Sequence, residues 1–172
     1  MPHSIDRLDD RLDEAWEYLR ANPILNRVFY TASEAADFSV LWHTLGVIQA
    51  VVEDDPRIAI AVSSALGIES ALVNGPVKSI FKRSRPVHDG PRPHKLRQPK
   101  TSSFPSGHAS AAMVAAAMLS RQGGAPVWYL LAGIVATSRI HVRIHHGSDV
   151  VGGALLGAGL GVLARRIADT VL

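Results

Sequence analysis

The chain has 172 residues, 47% of them hydrophobic and 19% charged, with a formal net charge of +3 and no cysteine. That length predicts one domain, residues 1–172, and the lack of cysteine excludes disulfides. The net charge is mild and the basic residues sit inside a few short motifs, so no nucleic-acid partner is expected.

In chain order, Ile5, Leu8, Leu12, Trp16 and Leu19 recur at helical spacing among charged residues. They predict an N-terminal amphipathic helix over 1–22, with Ser4 as its N-cap and Asn22-Pro23 as its stop. Packing against the rest of the protein is the expectation, because the helix's acidic excess opposes attraction to anionic lipid. No apolar run precedes it, so no cleavable leader is expected.

Apolar runs then follow at 41–52, 58–77, 109–120, 122–138 and 150–164, with Glu69 the lone charge among them. A spanning helix needs about 20 residues, so several runs need another turn at their ends. Arg165 and Arg166 can snorkel at the end of the last. This many apolar segments leave too little polar surface for a water-soluble bundle. The expected fold is all-α: an integral-membrane helical bundle of about five spanning helices plus the N-terminal amphipathic helix. Gly153, Gly157 and Gly161 stand four apart and predict close helix packing, within the chain in preference to a homodimer.

Glu53-Asp54-Asp55-Pro56 and Gln122-Gly123-Gly124 with Pro126 read as turns. The long proline-bearing polar loop between Arg85 and Phe104 reads as a lid or wall of a site. Alternating spans put the loop after Lys78 and the junction before Asp149 on one side of the membrane.

Three motifs meet there. Lys78 and Arg85 offer two fixed cations, suited either to phosphate oxygens or to an ordinary positive membrane flank. Pro105-Ser106-Gly107-His108 opens a helix. Ser106 suits the N-cap, Gly107 admits a close anion, and His108 stands ready as a proton donor. In Ser138-Arg139…His145…Asp149, the carboxylate four residues on can take the Nδ1 proton and leave Nε2 of His145 free to attack phosphorus. Arg139 adds a cation.

His141, His145, His146 and Asp149 also have ligand-like spacing, but Arg139 and Arg143 among them would repel a metal ion. No metal and no cofactor are expected. His141, Arg143 and His146 carry no assigned role, and His43, His88 and His94 read as polar fillers or loop residues.

Lys78-x6-Arg85-Pro86, Pro105-Ser106-Gly107-His108 and Ser138-Arg139-x5-His145-x3-Asp149 together resemble the signature of the type-2 phosphatidic acid phosphatase superfamily. The matching stretch runs from Lys78 to Asp149. The resemblance implies a metal-independent phosphatase that works through a phosphohistidine. On this reading His145 is the nucleophile, Asp149 orients it and His108 protonates the leaving group. Lys78, Arg85, Ser106, Gly107 and Arg139 would bind the phosphate. The chain is similar to compact bacterial members acting on polyprenyl phosphates, diphosphates or related lipid phosphates, with the site outside the cytoplasm. Two rival readings remain: a vanadium-dependent haloperoxidase, which shares the signature but is larger, and a non-catalytic binder of anionic lipid.

Overall fold

The computed structural model describes residues 4–87 and 96–171; His88 and His94 lie outside the described residues. All regular structure among the described residues is helical. Helix α1 (Ser4–Arg20) already includes Ser4, so that residue is helical and not the expected cap. Asn22 ends α1 and also caps α2 (Pro23–Ala35), accepting from Ile24 N at 2.9 Å and Leu25 N at 3.2 Å.

Helix α1 does dock on the rest of the chain, but by polar groups more than by its apolar stripe. Ile5 and Leu8 are 57% and 63% exposed, whereas Asp9 is 6% exposed. Trp16 Nε1 donates to His141 Nδ1 at 3.2 Å, and Arg20 donates to the His141 and Ile140 carbonyls at 2.9 and 2.8 Å. These bonds rotate the stripe partly outward.

Helix α2 meets α3 (Val40–Val52) at a 65° bend. Phe38 and Ser39 there take left-handed φ values of 53° and 58°, which carry Asp37 toward the polar end of the bundle. Asp55 caps α4 (Pro56–Leu72), which runs into a π-helical turn at Val73–Val77 and ends in the short α5 (Lys78–Ile80). Pro76, inside that turn, has no N–H to give, so the ordinary α ladder cannot continue through it.

Helix α6 (Gly107–Leu119) is buried along nearly its whole surface, as an alanine-rich helix apolar on all sides should be. It forms the centre, packed against α4, α7 (Ala125–His141) and α8 (Gly147–Val171). Among the described residues, Pro56–Ile80 and Gly147–Val171 can cross a membrane by length and composition, and the bent α2–α3 pair raises the number to three if it forms one span. Val51, Val52, Ile60, Leu130, Leu155 and Val171 are among the large apolar side chains left exposed, a lipid-facing belt around the bundle.

The glycine stripe of α8 faces α6. A Cβ on Gly157 would run into the main chain of Ser110, and one on Gly153 into that of Ser106. The stripe therefore serves internal packing. Gly157→Ala is expected to destabilise the protein by about 1–3 kcal/mol, because a backbone must move to admit the methyl group. Gly159→Ala, where the new methyl meets nothing within 4 Å, is the matched control. Thermal unfolding in detergent checks the pair.

Candidate functional site

The three motifs converge at one end of the bundle. Ser103 N bonds Arg83 O at 2.9 Å, tying the long loop to the segment after α5. Ser106 N bonds Asp149 O at 2.9 Å, tying the start of α6 to that of α8. Between them opens a cavity of about 510 Å³ lined by Lys78, Gly107, His108 and His145, with Glu69 and Asn74 on the α4 side. Arg97, Pro99, Lys100 and Thr101 wall it, so this part of the long loop does face the site. Arg85, Ser106, Arg139 and Asp149 sit around this cavity without lining it.

His145 is 3% exposed, in the short junction between α7 and α8. Arg85 Nη1 approaches its Nε2 to 3.1 Å and also donates to Ile144 O at 3.0 Å. A guanidinium only donates, so Nε2 is the acceptor and the ring proton belongs on Nδ1. Burial, with Arg139 and Arg85 adding to it and the nearby Asp149 carboxylate opposing, pushes the His145 ring down to about 3. The ring is therefore neutral at ordinary pH, with a lone pair on Nε2.

Asp149 is fully buried. Its Oδ2 lies 3.6 Å from His145 Nδ1, longer than the direct bond expected from the four-residue spacing. That oxygen accepts instead from His146 N at 2.8 Å, from His146 Nδ1 at 3.2 Å and from Ser103 Oγ, because it also caps the start of α8. Ser103 Oγ in turn stands 3.5 Å from His145 Nδ1, so the hydroxyl bridges the ring and the carboxylate.

His108 is the second residue of α6, where Ser106 is the N-cap and accepts from Ala109 N at 3.4 Å. Its Nε2 is 3.1 Å from Asp37 Oδ1. Arg139, 1% exposed at the end of α7, donates to Ser33 Oγ, and its carbonyl accepts from Ile144 N and His145 N, both at 3.1 Å. It thus sets the backbone that carries the imidazole. Lys78, 6% exposed, is the cation that lines the cavity from α5. A Cβ on Gly107 would come within 3.0 Å of Asn74 Oδ1, so only glycine keeps this approach open.

Four residues outside the predicted set take part. Arg83 donates to Asp149 Oδ1 at 2.8 Å and to Asp9 Oδ2 at 2.7 Å. Asp9 also accepts from Ser148 N at 2.8 Å and Ser148 Oγ at 2.7 Å. Burial opposes the charge of Asp9, but the bonds from Ser148 and Arg83 win and hold its carboxyl below the ordinary range. Ser103 and Asp37 complete the four. Arg83 lies inside the six-residue spacer of the first motif, where spacing alone marks nothing, and Asp9 falls among other acids of α1.

The unassigned residues have structural partners. His141 Nε2 lies 3.0 Å from Asn26 Oδ1 and its ring rests 4.6 Å from that of Phe29, pinning α2 to α7. Arg143 pairs with Glu17 and reaches Asp13 at 3.5 Å. His146 belongs to the Asp149 cap, and His43 pairs with Ser63 Oγ at 3.0 Å.

A family model described as the PAP2 superfamily matches residues 58–171. The chain is 29% identical over 135 residues to the decaprenylphosphoryl-5-phosphoribose phosphatase of Mycobacterium tuberculosis, covering 78% of this chain and 76% of that one. The enzyme of the same name from Mycolicibacterium smegmatis is 31% identical over 70% of this chain and 67% of its own. An undecaprenyl-diphosphatase from Sulfolobus acidocaldarius is 32% identical over 64% of this chain and 56% of its own. The fold matches the crystal structure of a transmembrane PAP2-type phosphatidylglycerolphosphate phosphatase from Bacillus subtilis, with a TM-score of 0.75 and 22% identity over 99% of this chain and 89% of that one.

Proposed function

The chain belongs to the PAP2 superfamily and is a metal-independent membrane lipid phosphatase, and from that premise we propose that His145 is its nucleophile and His108 its general acid. The observation that carries this reading is that both imidazoles line one cavity with Lys78 and the Gly107 end of α6.

The phosphate enters between Lys78 and the first N–H groups of α6, where fixed positive charge and a helix N-terminus favour an anion. Arg85 exchanges its contact with Nε2 for a phosphate oxygen and so uncovers the lone pair. Nε2 attacks phosphorus as the bond to the ester oxygen breaks, and His108 gives that oxygen its proton. The charge growing on the equatorial oxygens is met by Lys78, Arg85 and Arg139. Water then attacks the phosphohistidine with His108 as base; the P–N bond breaks, phosphate leaves and Nε2 regains its lone pair. In the unliganded protein His108 Nε2 faces Asp37. It changes partner to the leaving oxygen when substrate enters; burial and Arg139 push this ring down to about 4, and Asp37 opposes them by favouring the imidazolium.

The lipid tail follows an apolar groove of about 300 Å³ between α4, α6 and α8, lined by Ile60, Ile68, Leu72, Leu160 and Leu163. Arg57, Arg121, Arg165 and Arg166 lie toward the opposite end of the bundle, which supports a multi-pass protein with the site outside the cytoplasm.

Purified protein in detergent, offered phosphatidic acid, phosphatidylglycerophosphate and a prenyl diphosphate, is expected to release phosphate at a rate that a chelator leaves unchanged. Loss on chelation, restored by a divalent ion, overturns the metal-independent mechanism. Release from none of the three overturns the assignment.

A further inference from the structure

The polar cavity and the apolar groove share one charged residue. Glu69 lines both, 2% exposed on α4; Ser110 and Lys78 face its carboxyl, yet its Oε1 has no hydrogen-bond partner among the described residues. No step at the phosphate involves it. A buried polar oxygen without a partner is costly, so a ligand that supplies the missing donor is favoured strongly over one that does not.

Its neighbours define what that ligand can be. Ser70, the next residue, and Asn74, about one turn on, also line the polar cavity, and Asn74 Nδ2 donates to Ser70 Oγ at 3.2 Å. This side of the cavity is therefore carboxyl, hydroxyl and amide, while Lys78, Arg97 and Lys100 carry the cationic charge elsewhere in its lining. A hydroxyl suits this wall, because it can donate to Glu69 and accept from Asn74. A second phosphoryl group does not suit it, having only acceptor oxygens and meeting the carboxyl at close range.

We propose that Glu69 is a specificity-determining residue that accepts a hydrogen bond from a hydroxyl on the unit bearing the scissile phosphate. The enzyme would then favour lipids whose phosphate is carried by a polyol or sugar over lipid diphosphates. The inference rests on the phosphatase reading above and names its substrate class.

The test compares kcat/KM for phosphatidylglycerophosphate, whose scissile phosphate sits on a hydroxyl-bearing glycerol, with that for a prenyl diphosphate. Wild type, Glu69→Ala and Glu69→Gln are measured in detergent. Wild type is expected to prefer the glycerol-borne phosphate. Glu69→Ala should lower that preference at least about tenfold, since a buried hydrogen bond is lost. Glu69→Gln keeps an acceptor and removes the charge. It should retain more activity on the glycerol-borne phosphate than the alanine variant while raising turnover of the diphosphate. An equal fall on both lipids in both variants overturns the proposal and makes Glu69 a packing partner of Lys78. Wild-type cleavage of both lipids without preference overturns it while leaving the phosphatase reading intact; cleavage of neither overturns both.

Discussion

His145→Ala is expected to abolish phosphate release, by at least about 10⁴-fold, since a nucleophile has no substitute in its own site. Three measurements separate chemistry from folding. First, a wild-type protein quenched during turnover of labelled lipid should carry acid-labile phosphate on histidine, and the variant none. Second, Asp149→Asn should keep the fold yet lower kcat by about 10²–10⁴-fold, because a neutral amide does not offset the positive charge that develops on the ring. Third, the acid limb of kcat/KM should not come from His145. Burial, with Arg139 and Arg85, holds that ring near 3 against the pull of Asp149, so the imidazole is neutral and nucleophilic down to that pH. A depressed histidine loses its lone pair only below its own lowered value. Arg85→Met removes one of the depressing charges, so it should raise the pH at which the His145 ring itself protonates, toward the ordinary histidine range. A folded His145→Ala protein that keeps the wild-type rate would sink the assignment.

The motif residues were legible because phosphate chemistry needs particular side chains at particular spacings. Lys78, Gly107, His108 and His145 line one cavity, as the alternation of apolar runs suggested. Helix lengths were less legible. The run at 58–77 continues through a π turn, and α6 has 13 residues because it is a buried centre and not a lipid-facing span. What spacing could not show is a contact between distant parts of the chain. Asp37 reaches His108 only because the chain bends by 65° with two left-handed residues, none of them glycine. Ser103 carries no spacing signal in the sequence, and packing alone sets it between His145 and Asp149. The direct His145–Asp149 bond failed for a local reason: the carboxylate was already committed to the α8 cap.

Arg83→Met is expected to be the most damaging change outside the motifs. The guanidinium joins two carboxylates at 2.7 and 2.8 Å, and both are buried, Asp9 at 6% exposure and Asp149 at 0%. Removing it leaves two unpaired acids facing each other, which costs about 3–5 kcal/mol for a buried pair broken on one side. Arg83 holds Oδ1 of Asp149, which turns Oδ2 toward Ser103 and His145; without it the carboxylate can rotate, so kcat should fall while KM changes little. Asp9→Asn is the milder test, since an amide still accepts from Ser148 and keeps α1 seated. It should lower kcat about tenfold and add little to Arg83→Met in a double-mutant cycle, because both act through one chain of bonds. A loss of thermal stability with kcat unchanged in both variants would mean that α1 is only packed there. A shared fall in kcat would mean that a carboxylate on the N-terminal helix sets the geometry of the reacting imidazole.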